Sequence, residues 1–269
     1  MLKKLFLIIA LCVISNANID VAVQNMIGNS DYNTHRNLIN HIFSNKSSYY
    51  LNGQINYVRI SQELENNGLI KLNLGSVQDV EATFYFNASP KKSIKNISDI
   101  LKTIGQQNFI TKEEVVVDNQ LKWTIKLKTA AAISPLRLSL ELQNINCRIM
   151  DIKREGNNKW SYSIDTSNSY VYKAEDLTGN SQLNLKKPTK PYIIRVSNIS
   201  KININSNAGN NWYPNIVFYD KDFNTIEVVE KDSLHKNLKI SVPKNTNYIK
   251  IDDFYSLGNI KQGLNITKE

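Results

Sequence analysis

Three stretches of the chain repeat one pattern of apolar and polar positions. They are 59–68 (RISQELENNG), 96–105 (NISDILKTIG) and 137–146 (RLSLELQNIN). Each carries an aliphatic residue, then Ser, then Leu four places after the aliphatic, and each ends in Gly or Asn. An i, i+4 pair stacks on one face of a helix. A closing Gly or Asn can take the left-handed conformation that stops it. Three amphipathic helices are therefore expected. Each is followed by a strand-like run, at 69–74, 108–117 and 147–153. Alternating segments at 80–86 (VEATFYF) and 121–127 (LKWTIKL) precede the second and third helices, and 160–164 (WSYSI) closes the series. Segments 83–114 and 124–155 align without gaps at an offset of 41. The expected class is α+β: repeated βαβ-type units forming a mixed sheet with helices on one face. The pattern fits one sheet of three repeats or two small domains that share a helix.

The flanking pattern divides the rest. Residues 18–47 read as helical, with Leu38, Ile39, Ile42 and Phe43 on one face. Residues 48–165 hold the α+β repeats. Residues 166–190, rich in Ser, Thr and Asn and carrying Pro188, read as a linker or crossing strand. From 191 to 269 short strands recur at 192–196, 201–205, 215–219, 225–229, 238–242 and 248–251 with no helical period, which indicates an antiparallel β-sandwich.

The first seventeen residues set the expected compartment. Lys3 and Lys4 precede an apolar run of about ten residues, Leu5 to Ile14, and Ser15-Asn16-Ala17 offers small residues at a cleavage site. This is the pattern of a secretory signal peptide cleaved after Ala17. The run is shorter than the roughly 20 residues of a membrane-spanning helix. Leu11 before Cys12 does not suit a lipobox. The expected product is periplasmic, with no transmembrane segment in the mature chain. Cleavage takes the formal charge from +9 to +7 and leaves Cys147 as the single thiol, so no internal disulfide is expected. The basic residues are scattered rather than gathered into a stripe, which argues against nucleic acid as a partner.

Residues 57–127 resemble the short N-terminal domain of secretins and TonB-dependent receptors. The parts that carry the likeness are a helix at 58–68 ending in Gly68, strands at 69–74 and 80–86, a helix at 93–105 ending in Gly105, and a hairpin turning at Asp118-Asn119. The resemblance implies a periplasmic docking module for other proteins and no catalysis. The C-terminal strands are similar to galactose-binding-like jelly-roll modules, a likeness of architecture that carries little functional weight.

Candidate chemistry is sparse. Asp220, Asp222 and Asn224 have the opening spacing of a calcium loop, but Thr225 and Lys231 stand where such a loop needs Gly and a carboxylate. His35, His41 and His235 sit in no catalytic or metal-ligand motif, and Cys147 opens an apolar strand. The carboxylate pairs Glu113-Glu114 and Asp252-Asp253 read as turn or edge charges. No catalytic residue, metal site or cofactor is expected. Trp212 and Tyr213 follow a flexible polar stretch, Asn207 to Asn211, and are the candidate residues for stacking against a glycan. The leading expectation is a non-enzymatic protein that binds protein partners in an envelope assembly of secretion, pilus or flagellar type. The alternative is a glycan- or peptidoglycan-binding accessory protein.

Overall fold

The computed structural model describes residues 18–269, so the expected signal peptide lies outside the described residues. The chain is a mixed α+β protein that divides into two compact units, one ending at Ser169 and one running Tyr170–Glu269. Among the described residues, no helix is long and apolar enough to cross a membrane.

The first unit opens with three short helices, α1 (Ile19–Ile27), α2 (Asn29–Thr34) and α3 (Arg36–Ile42), then a small hairpin of β1 (Tyr50–Leu51) and β2 (Gln54–Ile55). It continues with α4 (Tyr57–Asn66), β3 (Asn73–Phe86), α5 (Pro90–Thr103), β4 (Phe109–Val117), β5 (Gln120–Ala131), α6 (Pro135–Gln143), β6 (Arg148–Arg154) and β7 (Lys159–Asp165). The three repeated stretches are the helices α4, α5 and α6, and they end alike. Gly68, Gly105 and Asn146 have φ of +64°, +99° and +56°. The next amide donates back over five residues, Leu69 to Leu64 O, Gln106 to Leu101 O and Cys147 to Leu142 O, at 2.8, 2.8 and 3.0 Å. That is a Schellman-type stop, and it satisfies a carbonyl the helix leaves open. The stacked pairs Ile60/Leu64, Ile97/Leu101 and Leu138/Leu142 are all buried.

β3 to β7 form a single five-stranded sheet in the order β4-β5-β3-β7-β6. The strands of the repeat region thus share one sheet. Only β3 and β7 pair in parallel within it. β3 and β4 run the same way with β5 between them, so the repeated units do not place their two strands side by side. The run 69–74 is not a strand of its own; Asn73 enters β3 ahead of a register shift. One face of the sheet is buried. Phe84 at its centre lies 5.4 Å from Tyr162 and 6.0 Å from Trp123, ring to ring. The other face is polar, with Lys122–Glu113 and Lys126–Asp79 ion pairs at 2.6 and 2.9 Å. This alternation is the period of two that VEATFYF and LKWTIKL carry.

The second unit consists of β8 (Glu175–Asp176), β9 (Gln182–Leu185), β10 (Tyr192–Arg195), β11 (Lys201–Ser206), β12 (Pro214–Tyr219), β13 (Thr225–Glu230), β14 (Asn237–Ser241), β15 (Tyr248–Asp253) and β16 (Leu264–Lys268). They make a five-stranded sheet, β13-β12-β15-β10-β8, and a four-stranded sheet, β14-β11-β16-β9. Both contribute to one apolar cluster, in which Ile216, Phe218, Ile249 and Ile251 of the first meet Ile202, Ile204, Leu264 and Ile266 of the second. The segment 166–190 supplies two of these strands. β8 pairs in parallel with β10, and β9 pairs with β16. β16 itself falls in a stretch the sequence pattern leaves without a strand. Gly263 shows why the turn into it needs glycine: at φ +80°, a Cβ there would meet Leu185 O at 1.9 Å.

Candidate functional site

Among the described residues, a candidate site stands out in each unit. In the first, an open groove with a cavity of about 150 Å³ runs between the β1–β2 hairpin, the start of α4, α6 and the start of β6. The hairpin turns through Asn52 and Gly53 at φ +52° and +75°, the pair of positive values that a tight two-residue hairpin requires. The Asn56 side chain caps α4, accepting from Arg59 N at 3.1 Å. On α6, Ser134 caps the helix and Pro135 starts it. These devices hold the walls. The apolar lining is Leu51, Ile55, Tyr57, Val58 and Ile149, with Asn52, Asn56, Ser139, Gln143 and the cationic Arg148 adding polar atoms. Leu51 is 56% exposed. The Tyr57 hydroxyl reaches Asp151 Oδ1 at 3.4 Å, and burial pushes its pKa well above the ordinary value. None of these residues stands out in the sequence as a site, because the groove joins two stretches, 51–58 and 139–149, some eighty residues apart along the chain.

In the second unit, the expected stacking pair splits. Trp212 is 0% exposed and belongs to the central apolar cluster. Its Nε1 donates to Asp252 O at 2.9 Å, which satisfies the one polar atom of the buried indole. A ring with no exposed face cannot stack against a sugar, so Trp212 is a core residue. Tyr213 is part-buried and meets Tyr255, which in turn meets Phe254, two rings not singled out by the sequence. Tyr255 lies 5.1 Å from Tyr213 at 87° and 5.0 Å from Phe254 at 84°. Phe254 is 42% and Tyr255 61% exposed.

The corner is anchored by a buried carboxylate. Asp253 Oδ2 accepts from Tyr213 N at 2.8 Å. Its Oδ1 accepts from Tyr255 N, Ser256 N and Asn259 Nδ2 at 2.9, 2.8 and 2.9 Å. One side chain thus fixes the backbone under two of the three rings. The Tyr255 hydroxyl donates to Asp232, and that hydrogen bond raises its pKa. The available signal was Asp253-Phe-Tyr at a strand end. The aspartate pair reads in the sequence as turn or edge charge; Asp253 does hold a turn, and it is buried.

Asp220 Oδ1 accepts from Asp222 N and Asn224 N at 2.9 and 2.8 Å, and Oδ2 from Asn224 Nδ2 at 3.1 Å, so its carboxylate is consumed by its own turn. Among the described residues, no group of three or more His, Cys, Asp and Glu is placed to hold a metal ion. His235 Nδ1 sits 2.7 Å from Ser233 O. Burial pushes the Cys147 thiol up to about 12, far from the range of a reactive thiolate. No family model, curated protein or solved structure matches the chain.

Proposed function

We propose that this chain is an exported, non-enzymatic protein of a bacterial cell envelope that docks onto protein partners through its first unit. The groove of about 150 Å³ carries the reading. An apolar cavity of ~150 Å³ is large enough for a benzene ring, so the groove suits one Leu or Phe side chain of a partner segment. Asn52 and Gln143 place amides beside the apolar lining, where they can pair with the segment's backbone. Caps and a tight turn hold the walls rigid, which lowers the entropy lost on binding. The signal-peptide pattern of residues 1–17 supports export, and the likeness of residues 57–127 to secretin and TonB-receptor N-terminal domains supports an envelope assembly. We read the two sheets of the second unit, which share one apolar cluster, as the halves of a β-sandwich resembling a jelly roll.

The test fills the groove. Val58 lies in the first turn of α4 and is only part-buried, so Val58→Trp occupies the cavity without opening the core. A tagged chain, cross-linked gently in cells, should recover a short and reproducible set of envelope proteins, and Val58→Trp should lose them while melting as wild type does. Recovery of the same set by Val58→Trp, or of none by either chain, removes the reading.

A further inference from the structure

We propose that the corner formed by Tyr213, Phe254 and Tyr255 is a carbohydrate subsite that takes the C–H face of one neutral pyranose ring. The proposal stands apart from the docking reading, since it uses the other unit and other residues.

Two exposed rings packed with a part-buried third carry an apolar cost in water, and here they are also tied in place. Tyr255 touches Tyr213 and Phe254 ring to ring, and its hydroxyl is tied to Asp232. Beneath them the Asp253 carboxylate fixes the amides of Tyr213 and Tyr255. Rings ordered before a ligand arrives give contact area at little entropic cost. The polar atoms beside them suit hydroxyl groups. Asp232 engages Tyr255 through Oδ1, which leaves Oδ2 to accept from a sugar hydroxyl.

The geometry favours a pyranose over an organic cation. A quaternary ammonium wants several ring faces converging on one point. Here the rings meet at 87° and 84° with centroids 5.1 and 5.0 Å apart, so they fill the space such a cage would enclose. What remains is outward-facing ring surface, which matches the flat C–H face of a sugar.

The experiment uses the chain from residue 18 on an array of neutral and anionic glycans, followed by titration with tetra-N-acetylchitotetraose and cellotetraose, with choline as the cationic probe. At least one neutral glycan should bind saturably. Tyr255→Ala should weaken it about tenfold, the equivalent of one aromatic contact of roughly 1.4 kcal/mol. Tyr255→Phe keeps the ring and should stay within about threefold of wild type. Tyr85→Ala, which removes an exposed tyrosine of the first unit, should change nothing. Both Tyr255 variants alter an exposed side chain, and melting curves verify that they fold. The proposal is overturned if no neutral glycan binds, if Tyr255→Ala binds as wild type does, or if choline is the probe whose binding depends on Tyr255.

Discussion

Replacing Asp253 by Asn tests whether one carboxylate organises the exposed corner of the second unit. The substitution changes almost no volume, so packing stays constant and the hydrogen bonds alone are altered. Wild-type Asp253 is 5% exposed and accepts four bonds, one at Oδ2 from Tyr213 N and three at Oδ1. An amide keeps a single acceptor oxygen. If that oxygen stays with the three donors, the new NH₂ faces the Tyr213 amide, donor against donor. If it flips, three donors face the NH₂. The first arrangement costs less. It removes one bond to a charged acceptor, about 2 kcal/mol, and weakens three others. For a unit of roughly 100 residues each kcal/mol lowers the midpoint by about 4–8 °C, so 2 kcal/mol predicts a fall of roughly 8–16 °C. The control is Asp252→Asn. Asp252 accepts from Asp253 N at 2.8 Å and approaches Lys250 only to 3.9 Å, and an asparagine oxygen can still serve the first contact. It should melt within about 2 °C of wild type. Hydrogen exchange should show faster exchange at Tyr213, Tyr255 and Ser256 in Asp253→Asn alone. Equal melting of the two variants, or unchanged protection of those amides, would refute the reasoning.

Further outcomes follow from single groups. The Arg195 guanidinium, with help from Thr178, holds the Asp176 carboxyl at about 2 against an ordinary 3.8. A carboxylate depressed in the folded state adds stability that is fully present above about pH 4 and drains away as pH falls toward 2. The midpoint of Asp176→Asn should therefore depend less on pH between 4 and 2 than that of wild type, and parallel curves would contradict the assignment. Cys147, held near 12, should carry on the order of a thousandfold less thiolate at pH 8 than an ordinary cysteine, so iodoacetamide should label it only after unfolding. Gly263→Ala drives a Cβ into Leu185 O and should cost more than ~3 kcal/mol, whereas Gly179→Ala, with nothing within 4 Å of its new Cβ, should melt close to wild type. Trp212→Ala should destabilise the second unit by about 3–5 kcal/mol, because it empties a core position rather than removing a ligand contact.

The helical repeats were legible because the forces that shape them are local. An aliphatic and a Leu four apart share a helix face whatever lies beyond, and Gly68, Gly105 and Asn146 stop the chain by their own backbone freedom. Alternation likewise marked β3, β5 and β7. The sheet order was not legible, since nothing in VEATFYF says which strand will lie beside it. β8 and β9 were hidden because strands of two and four residues are too short to show a period. Trp212 was misread for a related reason. Its polar neighbours suggest a loop aromatic facing water, but its burial comes from the shared apolar cluster and its bond to Asp252, some forty residues on. The groove of the first unit left no local trace at all. Four elements meet there, and each of its apolar residues reads alone as ordinary core.

The most direct test of the docking claim is site-specific photo-cross-linking in cells. A benzophenone side chain at Leu51, on the groove, is compared with the same group at Tyr85, on the polar face of the sheet. The account predicts that Leu51 captures one defined envelope protein, that Tyr85 does not, and that adding Val58→Trp abolishes the product. Equal capture from both positions, or a Leu51 product that survives Val58→Trp, would contradict it.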